Sequence, residues 1–184
     1  MSQLAQRKEH FTYSDYQKWD ESIRYELIDG VPYALAAPSI SHQRIHRKLT
    51  RILTNFLEGK TCELFYAPTD VRLNPFSDDD TVFQPDIFVV CDQSKLDERS
   101  CNGAPDFVIE ISLPTTAHFD MFDKYQKYLK AGVKEYWTVN PVTKTINVFI
   151  LKNGKYIPTL YGENDIIPSV VLEGCNITLS EVFE

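Results

Sequence analysis

Two strand-length runs in this sequence, QPDIFVV (84–90) and FVIEISL (107–113), are apolar except for a carboxylate set inside each, Asp86 and Glu110. Runs of this kind fold as buried strands, and a carboxylate carried into the interior is costly unless something pairs with it. Any fold of this chain must therefore find partners for these two groups. Pro85 sets Asp86 where a strand begins or bends, and strand alternation puts Val108, Glu110 and Ser112 on one face. On neighbouring strands the two carboxylates would make a hard oxygen site suited to Mg²⁺. Backbone amides holding a pair of strand-end carboxylates are the plainer explanation of the same residues.

The surrounding pattern is that of a mixed α/β chain. FTYSDYQKWDES (11–22) predicts a short helix capped by Thr12 or Ser14, with Tyr16 and Trp19 turned to the core. In RYELIDGVPYALA (24–36), Asp29-Gly30 between two alternating runs predicts a β-hairpin. Ile45, Leu49, Ile52, Leu53, Phe56 and Leu57 follow helical spacing, with Ser41 as N-cap and Gly59 at the stop. CELFYAPTDVRL (62–73) reads as strand, as do EYWTVN, TINVFIL and KYIPTLY, and a second helix spans Asp120 to Ala131. A short helix near Leu179 to Phe183 ends the series.

With 184 residues, 43% hydrophobic and 12% aromatic, and with no repeat or hydrophilic linker, the chain is expected to fold as one domain, 1–184. No apolar run approaches the roughly 18 residues of a spanning helix, and MSQLAQRKEH lacks a signal-peptide core, so a cytoplasmic protein is expected. Cys62, Cys91, Cys101 and Cys175 lie far apart and form no CxxC pair, which predicts reduced thiols with neither zinc nor disulfides. The formal net charge of −7 argues against non-specific coating of nucleic acid.

Hydrolysis of a phosphodiester suits such a carboxylate pair, because a bound divalent metal polarises the phosphate and lowers the pKa of the attacking water. A lysine nearby then orients the water or offsets developing charge. In the compact form of this motif the lysine stands two residues after the glutamate, and here that position is Ser112. The second helix offers a substitute. Met121, Phe122, Tyr125, Tyr128 and Leu129 define its buried face, Lys124 lies at the edge of that face, and Lys127 and Lys130 point away.

The succession YELIDG, SHQRIHRKL, QPDIFVV, VIEISLPTT, D-x-x-x-K and YLKAGVKEYWTVNP resembles the Uma-two family of restriction endonucleases, a bacterial branch of the PD-(D/E)XK nuclease superfamily. The resemblance covers nearly the whole chain. It implies a restriction-endonuclease-like core, a mixed β-sheet flanked by helices with an N-terminal β-hairpin, and a metal-dependent DNA endonuclease using Mg²⁺ or Mn²⁺. Asp86 and Glu110 match the metal ligands, Lys124 the displaced lysine, Glu26 the family's early glutamate and His42 its histidine after the hairpin. Most such nucleases act as homodimers, so that each DNA strand is cut once. Where members commonly carry a serine before proline, this chain has Leu113 ahead of Pro114, which keeps open an inactive nuclease fold serving as a DNA-binding or protein-interaction module.

Other charged residues carry two readings. Arg44, Arg47, Lys48 and Arg51 make the first long helix basic on its polar side, consistent with tracking DNA phosphates or with a solvated face. His42 suits substrate contact or a capping and core role. Glu26 suits the metal shell or a cross-strand charge pair. Asp70, Asp78, Asp79 and Asp80 lack EF-hand spacing and read as loop solvation, and Tyr136 and Trp137 read as core.

Overall fold

The computed structural model describes residues 10–20, 22–112 and 119–184. In chain order the elements are α1 (Tyr13–Tyr16), β1 (Tyr25–Ile28), β2 (Val31–Ala34), α2 (Ile40–Leu57), β3 (Glu63–Tyr66), β4 (Asp70–Arg72), β5 (Val82–Phe83) and β6 (Ile87–Val90). They continue with β7 (Ser100–Asn102), β8 (Phe107–Ile111), α3 (Phe119–Ala131), β9 (Glu135–Asn140), β10 (Thr145–Lys152), β11 (Lys155–Tyr161), β12 (Ile166–Pro168), β13 (Asn176–Thr178) and α4 (Leu179–Phe183). Among the described residues no helix is long and apolar enough to cross a membrane.

The central sheet has six strands in the order β11-β10-β9-β8-β6-β3. All its pairs are antiparallel except β8 with β9, which run parallel with α3 between them in sequence. Alternation along these strands feeds two cores. Ile87, Ile109 and Trp137 pack with Ile45, Leu49 and Leu53 of α2 on one face. Phe88, Val108 and Tyr136 pack with Tyr128 of α3 on the other. A second sheet, β2-β1-β5-β4-β7, begins with the expected hairpin. Its turn places Asp29 and Gly30 at φ +49° and +76°, the left-handed conformations a two-residue hairpin loop needs.

Several local expectations are corrected. Ser39, two residues before Ser41, caps α2 by accepting the His42 N–H at 3.2 Å. CELFYAPTDVRL is not one strand: a cis Ala67-Pro68 bond separates β3 from β4, which belong to different sheets. Phe122 is 65% exposed, although Tyr128 and Lys124 on the same helix are buried. Asp70 accepts hydrogen bonds from Tyr13, Tyr16 and Gln84, Asp79 pairs with Arg72, and Asp80 is buried against Asn74 and Thr81, so three of the four aspartates read as loop solvation are structural.

The cysteines depart furthest from the sequence reading. Cys62 and Cys91 form a disulfide, while Cys101 and Cys175 are free and buried. The physical reason is register. β3 and β6 pair Glu63 with Val90, so one further step along the ladder sets Cys62 across from Cys91 despite a sequence separation of 29.

Candidate active site

β6 and β8 pair Ile87 with Ile109, and the same register carried one residue further sets Asp86 opposite Glu110. Both line a cleft of about 380 Å³ that also takes in Glu26 from β1, His42 and His46 from α2, and Lys124 from α3. The Lys124 Nζ donates to Glu26 Oε1 at 2.9 Å and to Glu110 Oε1 at 3.1 Å. Tyr128, one helical turn beyond Lys124, donates its hydroxyl to the same Glu110 oxygen at 2.7 Å. Asp86 Oδ2 accepts the Ile111 N–H at 2.7 Å and contacts His42 Nε2 at 3.1 Å. His46 Nε2 holds the Asp86 carbonyl oxygen at 2.9 Å.

Burial pushes the Glu110 carboxyl up to about 7; the positive charge of Lys124 opposes the rise, and the negative charges of Asp86 and Glu26 add to it. Burial raises the Tyr128 hydroxyl well above its ordinary range, with Glu110 beside it adding to the rise, so it stays a proton donor.

Comparison with other buried carboxylates separates this pair from structural ones. Glu135 uses both oxygens, Oε1 for the Trp137 indole N–H and Oε2 for Ser169, Val170 and Val171. Asp106 likewise divides its oxygens between Lys134 and the Cys91 N–H. Among the described residues, Asp86 Oδ1 and Glu110 Oε2 accept no hydrogen bond, and their side chains keep 20% and 14% exposure toward the cleft. Two hard oxygens facing one cleft fit Mg²⁺ or Mn²⁺, because Mg²⁺ is commonly held by one or two carboxylates with water and substrate phosphate completing its shell. Among the described residues no cluster of three or more His, Cys, Asp or Glu side chains forms a cage that could hold a metal unaided.

The structure thus brings Glu26, His42, Asp86, Glu110 and Lys124 into one cleft. Glu26 is 1% exposed and stands behind Lys124, where its Oε1 also accepts the Gln84 N–H at 2.9 Å. His42 is buried against Asp86. Arg44, Arg47 and Arg51 are exposed on α2 outside the cleft lining, and the Lys48 Nζ donates to the Glu184 carbonyl. Lys127 does not simply face solvent, for it pairs with Asp29. Leu113 and Pro114 lie outside the described residues. Sequence reasoning missed Tyr128, Gln84 and His46. Spacing carried the signals: Tyr128 and His46 stand four residues after Lys124 and His42, and Gln84 stands two before Asp86.

A sequence profile described as "Uma2: Putative restriction endonuclease" matches residues 13–180. The chain belongs to the Uma2 family. Among curated relatives, the uncharacterized protein slr1290 of Synechocystis sp. is 25% identical over 138 residues, 73% of this chain and 71% of that one. A second uncharacterized Synechocystis protein, sll1609, is 26% identical over 121 residues, covering 64% and 67%. Among solved structures, that of a putative nuclease belonging to DUF820 from Anabaena variabilis superposes with a TM-score of 0.76 at 18% identity, over 94% of this chain and 97% of that chain. The mixed α/β fold expected from the resemblance is the one this neighbour shares.

Proposed function

We propose that this Uma2 protein is a metal-dependent DNA endonuclease that hydrolyses phosphodiester bonds at the Asp86–Glu110 cleft. The observation that carries the reading is the pair of carboxylate oxygens, Asp86 Oδ1 and Glu110 Oε2, that accept no hydrogen bond among the described residues, beside a buried lysine. Asp86 and Glu110 hold Mg²⁺, with Mn²⁺ as a substitute. When bound, the cation polarises the scissile phosphate and acidifies water. Lys124 places fixed positive charge where negative charge gathers on the phosphoryl oxygens. Glu26, accepting from Lys124 at 2.9 Å, holds that ammonium in place. Each copy carries one such cleft and cuts one strand at a time, so a homodimer cuts both strands in a single encounter.

Titration calorimetry with Mg²⁺ and Mn²⁺, together with plasmid nicking, tests the reading. The wild-type protein should bind metal and nick DNA, and Asp86→Asn and Glu110→Gln should each abolish both. Metal binding that persists unchanged in both folded variants removes the site. Salt-sensitive DNA binding without nicking in either metal instead leaves a DNA-binding module on a nuclease fold.

A further inference from the structure

One wall of the cleft has no use in holding a metal. Leu35, Ala36 and Pro38, in the segment joining β2 to α2, line it together with Tyr66 at the end of β3. Tyr66 is 49% exposed, and it is braced by an edge contact with His46, their ring centroids 5.7 Å apart at 89°. His46 is itself fixed on the Asp86 carbonyl, so the aromatic wall and the carboxylate floor are tied together by one side chain. A phosphodiester backbone gains nothing from an apolar wall, whereas a nucleobase stacks on one whatever its sequence.

The floor is also recessed. Asp86 and Glu110 keep only a fifth and a seventh of their side-chain surface open, at the bottom of a cleft of about 380 Å³. That volume lies near the lower end for small-molecule pockets of roughly 300–1,000 Å³. A phosphate on an unpaired strand, whose base is free to turn to the wall, reaches such a space more readily than one held in a continuous duplex. We propose that the cleft takes single-stranded DNA, one unpaired nucleotide at a time, with its base stacked on Tyr66 and a neighbouring phosphate running toward Arg47, which stands one helical turn beyond the lining residue Gln43. Arg24 and Lys124 stand in the cleft beside Glu26, Asp86 and Glu110, with Lys124 paired to Glu26 and Glu110. The proposal deepens the nuclease reading by naming the substrate class, and it rests on that reading for the chemistry alone.

The test uses the full chain in Ca²⁺, with a 2-aminopurine-labelled oligonucleotide presented as a single strand and as a blunt duplex of the same sequence. The single strand should bind at least about tenfold more tightly, with the fluorescence quenched by stacking. Tyr66→Ala should lower single-strand affinity by about tenfold and remove the quench, and Tyr66→Trp should retain both. Equal or tighter binding of the duplex overturns the proposal, as does an unchanged quench in folded Tyr66→Ala. The wild-type comparison decides even if the variant does not fold. Cleavage in Mg²⁺ is scored separately. Duplex-only cutting overturns the single-strand proposal and leaves the nuclease, while Tyr66-dependent single-strand binding without cleavage of either substrate supports the proposal and removes the nuclease.

Discussion

Asp86 is gripped at three points: Ile111 and His42 on one carboxylate oxygen, and His46 on the backbone carbonyl. The grip has a local cost, because the buried His42 Nδ1 has no hydrogen-bond partner among the described residues, and an unsatisfied buried polar atom costs about 1–3 kcal/mol. Its return is orientation, one oxygen being held so that the other faces the cleft. His42→Ala should therefore weaken Mg²⁺ binding by about 10- to 100-fold in calorimetry. His42→Gln, whose amide reaches the place of Nε2, should recover most of the loss, a rescue that a merely space-filling histidine would not show. Glu110 sets the pH dependence. Its carboxyl stands up to about 7 in the metal-free protein and must be ionised to ligate. Below that point each further unit of acidity should weaken metal binding by about tenfold, and binding at about pH 6 should release close to one proton. Calorimetry in two buffers of different ionisation enthalpy measures that proton directly; affinity independent of pH between about 6 and 8 would exclude Glu110 as a ligand.

Helix α3 delivers one ammonium to two carboxylates, and the phase that brings Lys124 inward also turns Tyr128 onto Glu110. Removing the ammonium leaves Glu26 buried with an uncompensated charge. Lys124→Met should destabilise the fold by about 3–5 kcal/mol in chemical denaturation, and Glu26→Gln in the same chain should restore much of it. Lys127→Ala, which breaks a pair with the exposed Asp29, should cost less than about 1 kcal/mol. At the start of α2 the corresponding contrast is Ser39→Ala, with an expected loss of about 1 kcal/mol, against Ser41→Ala with almost none. These elements also show what was legible in the sequence. Periodicity located α2 and α3 within a residue or two, Asp29-Gly30 located the hairpin, and helical phase put Lys124 on the inner side. Contacts between distant strands were not legible, because register belongs to pairs of segments rather than to either one. That is why Cys62–Cys91 was missed, why the split at Pro68 was hidden, and why the buried carboxylate of Glu135 went unnoticed. The capping serine was misplaced because two serines two residues apart satisfy the same local rule.

The molecule as a whole is acidic, with a formal net charge of −7, so attraction for DNA has to come from a local surface rather than from the overall field. Arg44, Arg47 and Arg51 are exposed on α2, whereas Lys48 is tied to the Glu184 carbonyl. The double variant Arg44→Ala, Arg47→Ala should flatten the dependence of log affinity on log salt by about two phosphate equivalents, and Lys48→Ala by less than one. Fluorescence anisotropy across a salt series reads the slope, and an unchanged slope in the double variant would remove α2 from the DNA path. The cleft itself is assembled from both large sheets. Glu26 comes from the hairpin sheet and Glu110 from the central one, and Lys124 fastens the first to the second. A chain in which only one sheet has formed therefore lacks the complete cleft. On the proposed function, nascent or partly melted copies would be disarmed by their own geometry, and a newly made molecule would be harmless to the nucleic acid around it until its two sheets have docked.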